Sequence, residues 1–194
     1  MPLNLPNLIT LFRIIMIPVF VVAFYLPDFS WKHLLVTAIF FVASVSDWVD
    51  GYLARKMNLT SAFGAFLDPV ADKLMVATAL VLLVGRHPGT EMAVWLALPA
   101  AVIVGREITI SALREWMATV GRNDKVKVSW IGKFKTGAQM LAIGCLLFEK
   151  PLGWFPSTSV GYILLYISAI LTLWSMLMYL KAAWPSLTKE KSDS

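Results

Sequence analysis

Residues 46–73 read SDWVDGYLARKMNLTSAFGAFLDPVADK. This stretch sets Asp47, Asp50, Asp68 and Asp72, with Gly51, Ala54, Arg55 and Gly64, among sequence that is otherwise apolar enough for a membrane. A carboxylate inside an apolar span costs about 2.5 to 3.5 kcal/mol on insertion scales. Four of them in one short segment point to function and call for cations.

Outward from this segment the chain stays apolar. Of its 194 residues 58% are hydrophobic and only 15% charged, and the mean hydropathy is +0.72. An ordinary soluble domain is excluded. Apolar runs cover Leu8 to Leu26, His33 to Leu53, Phe63 to Val84, Met92 to Met117, Phe134 to Phe148 and Val160 to Leu180. A spanning helix needs about 20 residues, so the first, second, fourth and sixth runs suffice on length, and the third and fifth do so with their polar flanks. The expected fold is all-α, a polytopic membrane protein of six transmembrane helices. The first run lacks a basic leader and a small-residue cleavage site, so it reads as a retained helix. Residues 1–184 read as a single catalytic domain and 185–194 as a disordered cytoplasmic tail, because no repeat or linker divides the chain.

Lys and Arg concentrate in cytoplasmic loops. Loops two and four and the C-terminal tail carry Arg55, Lys56, Arg114, Arg122, Lys125, Lys127, Lys133, Lys135, Lys181, Lys189 and Lys191, against Lys32, Arg86 and Lys150 in the other loops. Both termini and the aspartate segment are therefore expected on the cytoplasmic side. Trp31, Trp95, Trp116, Trp130, Trp154 and Trp184 stand near the predicted helix ends, where an indole suits the headgroup layer. The net charge of +5 lies beside helix ends, which speaks for topology and anionic headgroups rather than nucleic acid. The one cysteine, Cys145, reads as a small packing residue, with neither a disulfide nor a CxxC metal site.

At about 100° per residue, Asp47, Asp50 and Ala54 share one helix face, and Asp68 and Asp72 share a face of the next helix. A connection of about ten residues brings the two helices together as neighbours. Two like charges 4 Å apart repel by about 4 kcal/mol at an effective dielectric of 20, and divalent cations relieve that cost. With oxygen donors and neither His nor Cys nearby, Mg²⁺ or Mn²⁺ is expected rather than zinc. Two ions would suit an in-line displacement at phosphorus. Gly51 and Ala54 permit close approach of a nucleotide or of a partner helix, and Arg55 offers a planar fork for phosphate.

The spacing Asp47-x2-Asp50-Gly51-x2-Ala54-Arg55-x8-Gly64-x3-Asp68-x3-Asp72 resembles, without departure, the signature of the CDP-alcohol phosphotransferases. That resemblance implies that the four aspartates hold two metal ions and that the cytidine diphosphate group lies along Asp50, Gly51, Ala54 and Arg55. It also implies that Asp72 doubles as the proton acceptor and that Ser61 adds a nucleotide contact. Geometry alone does not single out Asp72 among the four. Asn7, Thr10 and Arg13 form a polar stripe on the first helix, read either as an N-cap with a snorkelling arginine or as a nucleotide contact. The family's Pro-Asn-x-x-Thr start favours the second.

In the fourth run, GREITISALREW holds Arg106, Glu107, Thr109, Ser111 and Arg114. Arg106 and Glu107 are about 100° apart, too far round the helix for a simple same-face pair. An internal bridge to another helix, as to Lys73, is one reading. The other is that Arg106, Thr109 and Arg114 reach the phosphate of an anionic acceptor, with Lys133 and Lys135 at the start of the fifth helix completing the site. GKFKT is not a phosphate loop, since the glycine required before Gly132 is Lys127.

The wider pattern, REITISALREW with VSWIGKFKTGAQM, LDPVADKLM and LTLWSMLMYL, resembles the bacterial glycerophosphate-using branch of the same family. That likeness implies transfer of a phosphatidyl group from CDP-diacylglycerol to sn-glycerol 3-phosphate, giving phosphatidylglycerophosphate and CMP at the bacterial inner membrane, and a homodimer. Another acceptor such as inositol phosphate is the near alternative, and a small cation transporter the distant one. A transporter leaves the fixed Gly, Ala and Arg positions unexplained.

Overall fold

The computed structural model describes the backbone of residues 5–57, 62–119, 130–151 and 154–188. Six helices follow in order: α1 (Leu5–Tyr25), α2 (Lys32–Met57), α3 (Ala62–Gly85), α4 (Glu91–Thr119), α5 (Trp130–Phe148) and α6 (Ser157–Thr188). No strand occurs among the described residues. The apolar runs of the sequence thus become the helices. Leu8–Tyr25, Glu91–Met117 and Ser157–Lys181 are long and apolar enough to cross a membrane, and Lys32–Ser46 and Lys135–Phe148 are shorter apolar segments.

The distribution of side chains is that of a membrane protein. Val22, Val81, Ile108 and Ile170 point outward at 64%, 66%, 65% and 64% exposure, while Thr10, Arg13, Gln139, Ser168 and Thr172 are buried. Hydrocarbon solvates the apolar exterior, and polar groups find their place against neighbouring helices. Pro18 and Pro99 lie inside α1 and α4, which membrane helices tolerate.

α3 packs against α1, α2, α4 and α5, and α6 against α4 and α5. Phe20, Phe40, Ala79, Leu80, Ile103, Ile143 and Leu147 fill the centre. Two crossings depend on glycine. A Cβ on Gly144 would stand 2.6 Å from the Phe41 ring, and one on Gly161 would stand 2.8 Å from Leu146 Cγ and 3.2 Å from the Ala142 carbonyl oxygen. Ala142 thus makes a close helix contact within the chain, between α5 and α6.

At the end away from the aspartates, Glu149 follows α5 with a φ of 59° and meets side chains from the start of α2 and from the connection between α3 and α4. Its carboxylate lies 3.0 Å from Arg86 and 3.5 Å from His33, and Arg86 stacks over the Phe24 ring at 5.3 Å. His33 belongs to the first turn of α2. α6 also continues through Pro185 to Thr188, further than the tail expected from residue 185.

Gly161→Val should lower stability in detergent by about 1 to 3 kcal/mol, the usual cost of overpacking a tight contact. Gly137, which has nothing within 4 Å of its missing Cβ, should accept alanine with no loss and a gain of up to about 1 kcal/mol. Thermal unfolding of the two variants beside the parent checks both, and equal stability of all three would contradict the packing described.

Candidate active site

The aspartate segment includes the end of α2 and the start of α3. α2 runs unbroken through Asp47, Asp50, Gly51, Ala54 and Arg55 to Met57, and α3 resumes at Ala62 and carries Gly64, Asp68 and Asp72. Only residues 58–61 separate the two helices, fewer than the ten or so expected, because both helices extend further into the polar segment. A connection this short, with contact between α2 and α3, folds the two aspartate-bearing ends back beside each other.

Gly64 is buried, Asp72 is half-buried and Ala71 beside it is fully buried. Ser61 lies outside the described residues, and Asn7, Asp47, Asp50, Gly51, Ala54, Arg55, Asp68 and Lys133 are placed by their helices alone. All the acidic donors on these two helix ends are carboxylate oxygens, a set that fits a hard divalent cation.

α1 packs on both α2 and α3 and turns Thr10 and Arg13 of its polar stripe inward. Thr10 and Arg13 are each 1% exposed. A snorkelling arginine keeps its head in water; this guanidinium is enclosed, so that reading of Arg13 is corrected.

A second polar cluster joins α4, α5, α6 and α3. Glu107 Oε1 accepts from Arg106 Nη1 at 2.7 Å and from Lys135 Nζ at 3.0 Å, so the adjacent pair does bridge. Long side chains swing together across the angle that separates their Cα–Cβ bonds. Lys73 donates to the Ser111 hydroxyl rather than to Glu107, and Ser111 donates to the Glu107 carbonyl at 2.6 Å. Lys73 therefore ties α3 to α4 one turn beyond the position expected.

On α6, the Ser175 hydroxyl accepts from Arg106 Nη2 at 3.5 Å and the Tyr179 hydroxyl accepts from Arg114 Nη2 at 3.4 Å. The Tyr179 ring lies 6.0 Å from the Arg106 guanidinium and 5.7 Å from that of Arg114, within reach of cation–π attraction. Arg106, Arg114 and Lys135 are thus gathered around one carboxylate and one aromatic ring. Positive charge is left in excess, which suits an anion. Thr109 does not join them, being exposed and donating to the Gly105 carbonyl of its own helix at 2.8 Å.

Ser175 and Tyr179 were not among the candidates read from sequence. Their signal was present in LTLWSMLMYL as the hydroxyl side chains of Thr172, Ser175 and Tyr179, spaced three and four apart, which places them on one face of α6.

Comparison with known proteins bears on both clusters. A family model for CDP-alcohol phosphatidyltransferase matches residues 3–174. A Pseudomonas fluorescens protein named CDP-diacylglycerol--glycerol-3-phosphate 3-phosphatidyltransferase is 53% identical over 95% of this chain and 92% of its own. Proteins of the same name from Haemophilus influenzae and Sodalis glossinidius are 54% and 55% identical, over 96% and 94% of this chain and 97% and 96% of theirs. From Asp47 on α2 to Ser175's neighbour Trp174 on α6, nearly all the residues described above fall within the matched span, and the chain belongs to the CDP-alcohol phosphatidyltransferase family.

Proposed function

We propose that this chain transfers the phosphatidyl group of CDP-diacylglycerol to sn-glycerol 3-phosphate, producing phosphatidylglycerophosphate and CMP. The observation that carries the reading is identity above one half, over more than nine-tenths of both chains, to transferases named for that donor and acceptor. The anion-suited cluster of Arg106, Arg114 and Lys135 supports it, since sn-glycerol 3-phosphate brings a phosphate that serine lacks. The enzyme works within one catalytic domain at the bacterial inner membrane, with both termini and the aspartates on the cytoplasmic side. Two copies form a homodimer.

In this account the acyl chains of the donor remain in the bilayer. The cytidine diphosphate group lies along Asp50, Gly51, Ala54, Arg55 and Ser61, with Asn7, Thr10 and Arg13 on its α1 side. Asp47, Asp50, Asp68 and Asp72 hold two Mg²⁺ or Mn²⁺ ions, which when bound neutralise charge on the diphosphate. Arg106, Arg114, Lys133 and Lys135 hold the acceptor's phosphate, with Glu107 and Tyr179 fixing the arginines and Lys135 in place.

Asp72 then accepts the proton of the acceptor's 1-hydroxyl. That oxygen bonds to the phosphorus next to diacylglycerol, and the bond from this phosphorus to the oxygen bridging to CMP breaks. Arg55 steadies the departing phosphate. Displacement is direct in this account, with the carboxylates committed to the cations and to the proton rather than to phosphorus, and with neither Cys nor His in the segment. His33 and His87 stand at the far end, beside Glu149.

Asp72→Asn should lower kcat by about 10² to 10⁴ while the purified variant still binds CDP-diacylglycerol; turnover near that of the parent would remove Asp72 as the base. Label exchange between CMP and CDP-diacylglycerol without acceptor should be absent, and its presence would replace direct displacement by a phosphatidyl-enzyme route.

Arg106→Gln and Arg114→Gln should each raise the KM for sn-glycerol 3-phosphate by about tenfold or more, the usual loss for a charge-assisted hydrogen bond. The KM for CDP-diacylglycerol should hardly move. Equal effects on both substrates would place these arginines elsewhere than at the acceptor.

A further inference from the structure

Between α2 and α5, at the end of the bundle away from the aspartates, lies a groove of about 600 Å³, inside the range of about 300 to 1,000 Å³ typical of sites for small organic molecules. Its walls are apolar, with Leu34, Phe41, Leu141 and Phe148 among them, and Cys145 on its floor. Gly144 leaves room there for the Phe41 ring. An apolar wall alone says nothing about what covers it. Three polar features graded along the groove do.

The first is buried. Thr37 lines the groove, is 8% exposed, and its hydroxyl has no hydrogen-bond partner. Hydroxyls elsewhere on α2 take the local alternative, Ser44 donating to the Phe40 carbonyl and Ser46 to that of Val42 at 2.8 and 2.7 Å. A buried hydroxyl left without a partner costs about 1 to 3 kcal/mol, and a rotation of the Thr37 side chain toward the groove would let an acceptor there meet it.

The second is a cation at the mouth. Lys150 lines the groove, is exposed, and donates to the Ser30 carbonyl at 3.0 Å, which leaves two of its three N–H donors for a ligand. The neighbouring carboxylate, Glu149, is met by Arg86 at 3.0 Å and by His33 at 3.5 Å. Lys150 is therefore available to an anion at this mouth.

The third is depth. Trp31, at the mouth and 61% exposed, suits the headgroup layer. Thr37, six residues along, lies about 9 Å deeper at 1.5 Å per residue. The headgroup layer is about 5 to 7 Å thick on each side of a hydrocarbon core of about 30 Å. Thr37 therefore falls near the boundary where ester groups sit.

Cation, hydroxyl and apolar slot thus follow one another as phosphate, ester carbonyl and acyl chain do in a phospholipid. We infer that this groove binds one anionic phospholipid of the surrounding bilayer, with its phosphate at Lys150, an ester carbonyl accepting from Thr37, and an acyl chain between α2 and α5. The site is separate from the one proposed to hold CDP-diacylglycerol at the other end of α2. It would brace α2, the helix that carries Asp47 and Asp50, against α5, which carries Lys135.

Cys145 is the chain's only cysteine and reports on this groove alone. The full chain in detergent micelles is titrated with phosphatidylglycerol or phosphatidylcholine, and the rate of Cys145 alkylation by a maleimide is followed. Phosphatidylglycerol should slow alkylation at lower concentration than phosphatidylcholine. Thr37→Val and Lys150→Gln should each weaken that protection about fivefold, and Leu141→Trp, which fills the slot, should abolish the dependence on lipid. Native mass spectrometry should show one phosphatidylglycerol fewer retained by Leu141→Trp than by the parent. Alkylation indifferent to lipid, equal protection by the two lipids, or protection that follows protein concentration because a second copy covers the groove would each overturn the inference.

Discussion

A charge enclosed by apolar helices is tolerated only where other charges or hydrogen bonds meet it, and this requirement organises the bundle. Glu107 meets it by standing between Arg106 and Lys135 at 2.7 and 3.0 Å, which joins α4 to α5. Arg106 and Arg114 in turn lean on Ser175 and Tyr179, which joins α4 to α6. Removing Glu107 would leave Arg106 and Lys135 without their shared carboxylate, and an uncompensated buried charge costs about 3 to 5 kcal/mol. The aspartates on α2 and α3 pose the same problem with only one sign of charge, and the proposed divalent cations answer it.

The proposed reaction divides between two sets of helices. α1, α2 and α3 carry the aspartates, Arg55, Thr10 and the enclosed Arg13, the groups suited to a nucleotide diphosphate and its metals. α4, α5 and α6 carry a cluster with cations in excess over its single carboxylate, suited to a small phosphorylated acceptor. α3 contacts both sets, and Lys73, one residue after Asp72, donates to Ser111 of α4. The proposed base therefore stands where the two sets adjoin.

Much of this was legible in the chain itself. Long apolar runs have few ways to satisfy their backbone in a bilayer, so the six helices lie where hydropathy places them, and aspartates at fixed spacing mark one site. What resisted reading depended on long or small side chains and on tertiary neighbours. The Arg106–Glu107 bridge was obscured because Cα–Cβ directions say little about where flexible side chains end. The enclosure of Arg13, the role of Tyr179 and the turn of Thr109 toward Gly105 depend on which helix lies opposite, and periodicity carries no such information. The groove at Thr37 needed both α2 and α5 to be in place before an unmet hydroxyl could be noticed.

The central claim is that one end of the bundle joins a lipid-borne nucleotide diphosphate to sn-glycerol 3-phosphate with divalent cations. The most direct measurement supplies purified protein with labelled CDP-diacylglycerol and, in turn, sn-glycerol 3-phosphate, inositol phosphate, serine or no acceptor, with Mg²⁺, with Mn²⁺ or with a chelator. The account predicts labelled phosphatidylglycerophosphate and stoichiometric CMP with sn-glycerol 3-phosphate alone, and none under chelation. Efficient turnover with another acceptor, or undiminished product in the presence of the chelator, would contradict it.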